Sequence, residues 1–180
     1  METVFGTIMA LVCLQMPDGG IGYLNDIIWK GLKGDMKGFV ARTKHHVVVM
    51  GSNTFKSLGC IPLTERINIV ITTNPDQFKG IEGIYVVTSP LAALQLARKL
   101  WPEKNICVIG GAQIYYELFP YCDQVFTTEV FGHKEADTFV QMPKYLQEVP
   151  DSRQHGPDES IPYFFVEYKN PTPLEIPMAA

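Results

Sequence analysis

Three short stretches rich in glycine or hydroxyl residues each follow an apolar run of strand length. They are residues 50–54 (Met-Gly-Ser-Asn-Thr), 72–73 (Thr-Thr) and 109–112 (Ile-Gly-Gly-Ala). Ligands of open parallel sheets bind beyond the carboxyl ends of the strands, so chemistry is expected here first. Glycine lets backbone amides approach an anion where a helix begins, although neither glycine stretch matches a phosphate-loop or dinucleotide fingerprint. Each glycine alone is more typical of a tight strand-to-helix turn, but two such turns together predict a nucleotide pocket.

Asp35 is the carboxylate best placed for acid–base chemistry. The apolar residues around it share one face of a predicted helix: Leu32, Met36, Phe39, Val40 and Thr43. Asp35 falls at the edge of that face, one turn before Phe39. A carboxylate pressed against apolar side chains has a raised pKa and can bind or protonate a heterocycle. The alternative is that an acid directly after Gly34 complements the start of the helix, and spacing alone favours this second role.

The elements that must position these residues alternate between strands and helices. The apolar runs of strand length are Val4–Leu14, Val47–Met50, Ile67–Ile71, Ile84–Val87, Ile106–Ile109, Val125–Val130 and Tyr163–Val166. Most are nearly continuous in Val and Ile, which is typical of strands buried on both faces. The clearest helix is Ser89–Leu100, with Ser89 as N-cap and Pro90 at the first helical position. This alternation predicts an α/β fold with a largely parallel sheet.

The remaining segments predict one domain with an extended tail. Residues 1–170 form the predicted domain, and the proline-bearing residues 171–180 form the tail. Glycines and Pro17 in Gln15–Ile28 predict a mobile loop after the first strand, and Asp151–Ser160 is predicted to be a surface turn.

Charge and cysteine content exclude several classes of function. The 180 residues carry 15 Lys and Arg against 19 Asp and Glu, a formal net charge of −4. Broad binding to nucleic acid or to anionic membranes is therefore not expected, because both require a basic surface. The four cysteines show no metal-ligand spacing, so no metal site is predicted. A reduced, cytoplasmic setting is expected, since no signal or membrane-spanning segment is visible at this N-terminus, and the chain is expected to act as a monomer.

Taken in order, the motifs resemble the dihydrofolate reductase family over about residues 4–168. The residues that carry the resemblance are Ala10, Gly20-Ile21-Gly22, Trp29, Asp35, Phe39, Met50-Gly51, Thr54-Phe55, Ser57-Leu58, Pro62-Leu63, Arg66, Asn68, 109–115 (Ile-Gly-Gly-Ala-Gln-Ile-Tyr), Thr128 and Asp137-Thr138. Any one motif is moderately specific, whereas the ordered set at these spacings is highly specific. The resemblance raises Asp35 from a residue of the helix start to a catalytic acid.

The resemblance implies a three-layer α/β fold with a mostly parallel central sheet and helices on both faces. The implied reaction is NADPH-dependent reduction of dihydrofolate to tetrahydrofolate, with hydride transfer to pterin C6 and protonation of N5. The implied catalytic group is Asp35, supported by Thr128 and, through water, by Trp29. Asp35 would accept hydrogen bonds from the pterin's amino group and ring N–H.

The resemblance also implies the residues that line the two ligand sites. Substrate-binding residues would be Ile8, Met36, Phe39, Leu58, Leu63, Arg66, Ile109 and Tyr115. Arg66 would clamp the α-carboxylate of the glutamate tail through both guanidinium arms. Cofactor-binding residues would be Ala10, Ile21, Gly22, Gly51, Ser52, Asn53, Thr54, Thr72, Thr73, Gly110, Gly111, Ala112, Gln113, Ile114 and Tyr115. The pair Gly110-Gly111 resembles the family's cis peptide.

This sequence departs from the family pattern where the cofactor's 2′-phosphate would lie. Ser52, Asn74 and Gln113 stand where basic residues are expected, so use of NADH remains open beside NADPH. Ile27-Ile28 precede Trp29, where the family usually has a proline. Two other functions remain open: a reductase of the same fold acting on another pterin or a pyrimidine, and a non-catalytic protein that binds nucleotide or folate.

Overall fold

The computed structural model describes residues 4–157 and 160–178. Its strands are β1 (Ile8–Gln15), β2 (Gly20–Tyr23), β3 (Asp26–Ile27), β4 (Val47–Gly51), β5 (Ile67–Ile71), β6 (Ile84–Val87), β7 (Ile106–Val108), β8 (Gln124–Val130), β9 (Thr138–Phe139), β10 (Gln147–Glu148), β11 (Gln154–His155) and β12 (Tyr163–Lys169). Its α-helices are α1 (Lys33–Thr43), α2 (Ser52–Ser57), α3 (Pro90–Leu100) and α4 (Ala112–Leu118). Short 3-10 turns at Pro75–Phe78 and Phe119–Tyr121 complete the described structure.

The central sheet is mixed but mostly parallel. Its strand order is β10-β12-β8-β1-β7-β4-β5-β6, and β11 pairs with β12 outside this path. The neighbours from β8 to β6 pair in parallel, whereas β12 runs antiparallel to β8. The predicted α/β sheet is therefore confirmed, and the carboxyl ends of β1, β4, β5 and β7 meet at one edge.

Helices cover both faces of this sheet, as the resemblance implies. One face packs against α3 and α4 through a cluster that includes Ala10, Leu94 and Leu118. The opposite face packs against α2 and the segment before α1 through clusters that include Phe55 and Trp29. The alternation of side chains along β1 therefore decides which residues reach which layer.

The segment Gln15–Ile28 is more ordered than the sequence predicts. Strand β2 pairs with both β3 and β9 in a small antiparallel sheet. The Leu24 amide donates to Asp137 Oδ2 at 2.8 Å, and the Asp137 amide donates to Gly22 O at 2.9 Å. The prediction of a loop throughout this segment is wrong, because β9, one of the two partners of β2, lies more than a hundred residues away and leaves no local signal.

Smaller differences occur at the ends of other elements. Strand β1 begins at Ile8, so residues 4–7, which the sequence predicts to be part of the strand, lie outside it. The predicted surface turn at 151–160 contains the short strand β11, and residues 158–159 lie outside the described residues. Residues 171–178 form no helix or strand, and the Leu174 amide donates to Pro120 O at 2.9 Å. Among the described helices, none has the length and apolar composition needed to cross a bilayer.

Candidate functional site

A cavity of about 1140 Å³ opens at the carboxyl edge of the parallel strands. Residues after β1, β4, β5 and β7 line it on one side, and α1 lines it on the other. Chain segments far apart in sequence converge here because parallel strands place their carboxyl ends at a common edge.

Asp35 points from the first turn of α1 toward the sheet. Its Oδ1 accepts a hydrogen bond of 2.6 Å from Thr128 Oγ1 on β8, and both residues line the cavity. Burial raises the pKa of the Asp35 carboxyl above its usual value, while the bond from Thr128 lowers it by a smaller amount. The N-cap residue of α1 is Leu32, so Asp35 does not cap the helix, although it lies in the first turn, where its charge complements the helix start. The carboxylate instead faces the space where a ligand would bind.

Trp29 lies beside this pair, buried at 6% exposure and lining the same cavity. Lys134 Nζ lies 4.5 Å from the centre of the indole ring and donates to Ile28 O at 2.8 Å. The Trp29 Nε1 hydrogen has no acceptor among the described residues. A buried N–H of this kind is normally satisfied by a ligand or an ordered water, so its position fits the role implied for Trp29.

The structure brings together most of the predicted substrate-binding residues. The predicted residues that line the cavity are Met36, Phe39, Leu58, Leu63, Ile109 and Tyr115. Tyr115 is buried and donates from its hydroxyl to Leu11 O at 2.6 Å, which fixes its ring at the wall. Arg66 does not line this cavity: Nε donates to Thr43 Oγ1 at 3.1 Å and Nη1 to Thr64 O at 2.7 Å.

Two predicted residues of the first strand are placed elsewhere. Ile8 and Ala10 do not line the cavity but lie in the core cluster beneath α3 and α4. The residues of β1 that do line it are Leu11, Val12 and Cys13. A continuous apolar run gives no indication of register, and the pairing of Ala10 with Val108 sets which residues reach the end of the sheet. Sequence reasoning therefore chose residues too early in the strand.

Cys13 is one of the β1 residues that line the cavity and were not predicted to do so. Burial raises the pKa of its thiol well above the usual value, and the nearby Asp35 carboxylate raises it further. A thiol in this state stays protonated and is a poor nucleophile, so Cys13 acts as a small apolar wall residue.

The predicted cofactor-binding residues other than Ala10 all line the same cavity. They are Ile21, Gly22, Gly51, Ser52, Asn53, Thr54, Thr72, Thr73, Gly110, Gly111, Ala112, Gln113, Ile114 and Tyr115. The Gly51 amide donates to Gly110 O at 2.8 Å, which joins the two glycine turns. The Gly110-Gly111 peptide is cis, and Gly110 has φ of +114°, a conformation that favours glycine.

The glycine turns also leave room that a side chain would fill. A Cβ at Gly51 would come within 3.1 Å of Ile114 Cγ1, and one at Gly110 within 3.3 Å of the Tyr115 ring. Glycine at these positions thus keeps the backbone close to the cavity, whose lining also includes Ile21 and Thr73.

Several charged residues of the site gave no signal in the sequence. Lys30, Lys37, Arg42 and Glu117 line the cavity, as does Gly38 in the middle of α1. The sequence pattern can predict a helix, but it does not show which face of the helix meets the cavity. That face depends on how the helix packs against the rest of the fold.

Comparison with known proteins identifies the family. The sequence model described as dihydrofolate reductase matches residues 8–170 of this chain. The chain belongs to the dihydrofolate reductase family. A dihydrofolate reductase from Bacillus subtilis is 38% identical over 144 residues, which cover 79% of this chain and 82% of that protein. Dihydrofolate reductase type 3 from Salmonella typhimurium is 36% identical over 139 residues, covering 77% of this chain and 80% of that protein.

A solved structure extends the similarity to three dimensions. Dihydrofolate reductase from Enterococcus faecalis, complexed with NADP(H) and RAB-propyl, superposes with a TM-score of 0.82 at 28% identity. The similarity covers 93% of this chain and 99% of that one. The fold implied by the resemblance is therefore confirmed. The chain is an oxidoreductase of the dihydrofolate reductase type.

Proposed function

We propose that this chain reduces dihydrofolate to tetrahydrofolate with NADPH, with the pterin held at Asp35. The observation that carries the proposal is the Asp35–Thr128 pair, whose oxygens are 2.6 Å apart at the wall of a cavity that also contains both glycine turns. One buried carboxylate thus faces the same space as a surface suited to a dinucleotide.

Asp35 would bind and orient the pterin. Its carboxylate can accept hydrogen bonds from the pterin amino group and a ring N–H, while Thr128 Oγ1 holds the carboxylate at the correct angle. Burial raises the pKa of the Asp35 carboxyl and so favours its protonated form relative to a free carboxyl, which would help protonation of the pterin N5 by way of water. The buried Trp29 Nε1, which has no acceptor among the described residues, would donate to the water between these groups.

The apolar wall would align the pterin and exclude bulk water. Met36 and Phe39 line the cavity from α1, and Ile109 and Tyr115 line it from the other side. A planar heterocycle between these walls is held face to face with the nicotinamide, and alignment of this kind lowers the barrier to transfer.

NADPH would lie along the carboxyl edge of the sheet. Ile21 and Gly22 border the nicotinamide end, Gly51 and Gly110 the phosphates, and Thr72–Thr73 the adenosine. When bound, the cofactor supplies the hydride. Ile21 and Gly22 lie on β2 of the small sheet β3-β2-β9 and line the cavity, and this sheet would shield the transfer from water.

Arg66 is proposed to bind the α-carboxylate of the glutamate tail. Its guanidinium lies just beyond Leu63, at the end of α1, where Thr43 and Thr64 O support it. This site would distinguish folate from other pterins and from pyrimidines, because only folate carries the tail.

The experiment follows the absorbance of reduced nicotinamide in the presence of dihydrofolate or of a dihydropterin that lacks the glutamate tail. Arg66→Leu is expected to raise KM for dihydrofolate by about 10- to 100-fold and to leave the tailless substrate unaffected. Arg66→Lys serves as the matched variant, since it keeps the charge and loses the two-armed geometry. No turnover of dihydrofolate by the folded wild type would refute the proposed activity. Equal loss on both substrates would refute the role of Arg66 alone.

A further inference from the structure

The charged residues of the cavity are divided between its two ends. The described cations that line it are Lys30, Lys37 and Arg42, which belong to α1 and the segment before it. The opposite end, beyond β5 and β6, is lined by hydroxyl and amide side chains together with one carboxylate: Ser52, Asn53, Thr72, Thr73, Thr88, Gln113 and Glu117. No Lys or Arg among the described residues lines that end.

The adenosine half of the cofactor must reach this second end. If the nicotinamide meets the pterin near Asp35 and the phosphates cross Gly51 and Gly110, the rest of the molecule continues in the direction of the strand order. That order runs from β1 through β7 and β4 to β5 and β6. The adenosine ribose therefore lies among Thr72, Thr73, Gln113 and Glu117, a placement that rests on the proposed function.

A bonded pair of side chains sets the chemistry of this end. Gln113 Nε2 donates to Glu117 Oε1 at 3.0 Å along one turn of α4, and both residues line the cavity. The bond orients the Glu117 carboxylate and uses a donor of Gln113 that an anion would otherwise attract. The neighbouring Thr72 hydroxyl is also engaged, since it donates to Asn74 O at 3.4 Å and accepts from the Asn74 amide at 3.1 Å and from Gln77 Nε2.

We infer that Gln113 and Glu117 relax the cofactor specificity of this enzyme, so that it takes NADH about as readily as NADPH. The two cofactors differ only at the ribose 2′ position, which is a hydroxyl in NADH and a phosphate in NADPH. A 2′-phosphate carries close to two negative charges at neutral pH and requires a cationic partner. Here Gln113 stands where the cation is expected, and it is bonded to the Glu117 carboxylate. A 2′-hydroxyl can donate to that carboxylate, as an acidic residue does in NAD-dependent dinucleotide sites.

The test is calorimetric titration of the enzyme with NADPH and with NADH in the absence of dihydrofolate. We expect the two dissociation constants of the wild type to lie within about tenfold of each other. Gln113→Arg should tighten NADPH by about 10- to 100-fold and change NADH by less than about threefold. It should also make NADPH binding weaken more steeply with added salt. Glu117→Gln should tighten NADPH and weaken NADH, a change of opposite sign on the two nucleotides.

Gln147→Arg is the matched control for net charge. It adds the same charge at an exposed position of β10, at the edge of the sheet farthest from β6. It should leave both dissociation constants unchanged, and equal tightening of NADPH in the two arginine variants would overturn the inference.

The remaining outcomes separate the inference from the proposed function. Wild-type binding of NADPH more than about 30-fold tighter than NADH would overturn the inference while leaving the proposed reductase intact. Binding of neither nucleotide would overturn both.

Discussion

Helices α1 and α3 have the same length, eleven residues each, but pack in opposite ways. The N-cap Ser89 of α3 accepts from the Ala92 amide at 3.2 Å, and its residues Ala93, Leu94 and Ala97 are fully buried. The N-cap residue of α1 makes no side-chain hydrogen bond in the described structure, and two glycines interrupt the helix. Its apolar residues Met36 and Val40 remain 52% and 39% exposed.

The difference follows from what each helix faces. Helix α3 packs against the sheet, where buried apolar area stabilises the fold. Helix α1 borders the cavity, and its inner residues Asp35, Met36 and Phe39 face space reserved for a ligand. These residues would gain packing contacts only when substrate binds, so without a ligand α1 contributes less to the stability of the fold than α3 does. Substitutions in the two helices should therefore separate activity from stability.

Asp35→Asn should have the largest effect on activity. Loss of the carboxylate should lower the rate at neutral pH by about 10²- to 10⁴-fold, because the pterin loses its partner and its nearby proton. Part of the rate should return in acid, where dihydrofolate is protonated by solvent. Steady-state rates across a pH series measure both effects. A rate near that of the wild type at neutral pH would exclude Asp35 from catalysis.

The same variant should be more stable than the wild type at neutral pH. The folded pKa of Asp35 lies above its unfolded value, so the folded state binds more protons between those two values. Wild-type stability therefore falls as pH rises through that window and stays lower above it, whereas the Asn variant loses nothing there. Thermal unfolding at neutral and acid pH should show the advantage of the variant disappearing in acid. An advantage that does not change with pH would contradict the assigned shift.

Leu94→Ala tests the other side of the comparison. Leu94 is a fully buried residue of α3 and does not line the cavity, so its truncation should destabilise the fold by about 2–5 kcal/mol. The kcat of the folded fraction should remain unchanged. Met36→Ala is the matched variant on α1: it should change stability by less than about 0.5 kcal/mol and raise KM for dihydrofolate. Denaturant unfolding measures the stability of each variant, and steady-state kinetics measures kcat and KM. Equal losses of stability in the two variants would contradict the proposed difference between α1 and α3.

Thr128→Val should shift the pH dependence of the reaction. The hydroxyl of Thr128 donates to the Asp35 carboxylate and favours its charged form, so removing it should raise the pKa of Asp35 further. The fall in rate at alkaline pH should then move to higher pH. Thr127→Val is the control, because Thr127 also lines the cavity but its hydroxyl donates to Glu129 Oε1 and Val166 O rather than to Asp35. Identical pH profiles for the two variants would show that Thr128 does not act through Asp35.

The sequence predicted α3 and the glycine turns because their signals are local. Ser89 and Pro90 suit the N-cap and the first position of a helix, and Gly51 and Gly110 mark the ends of apolar runs. The register of β1 was not predictable in this way, because Ile8 and Leu11 look alike until β7 and β8 pair with the strand.

The role of Asp35 depended on information that no single helix contains. Its partner Thr128 lies 93 residues away, and only the fold brings the two oxygens together. The family resemblance supplied that pairing, since spacing alone favoured a role in starting the helix. Only part of the uneven charge of the cavity could be predicted from the sequence. Gln113 was identified there because it stands where a basic residue is expected. Glu117 was identified only from the structure, in which this face of α4 lines the cavity.

Alanine at the two glycines of α1 should give small effects of opposite sign. A Cβ at Gly38 would meet only Arg42 Nη1 at 3.3 Å, the end of a flexible side chain, so Gly38→Ala should stabilise by about 0.5–1 kcal/mol through helix propensity. A Cβ at Gly34 would lie 2.5 Å from the Tyr163 hydroxyl and 2.8 Å from Pro157 Cδ, and Gly34→Ala should destabilise by about 1–3 kcal/mol. Chemical denaturation measures both.

The sign of the stability change at each glycine distinguishes two reasons for the presence of glycine in α1: close contact with a neighbouring segment, and space for the substrate. If Gly34 alone is required, close contact with the chain near Tyr163 explains that glycine, and Gly38 is kept for the cavity it borders. A stabilised Gly38→Ala enzyme with a raised KM for dihydrofolate would then show directly that α1 gives up stability to leave room for substrate. Destabilisation by both substitutions would instead mean that α1 packs as tightly as α3, and the comparison would fail.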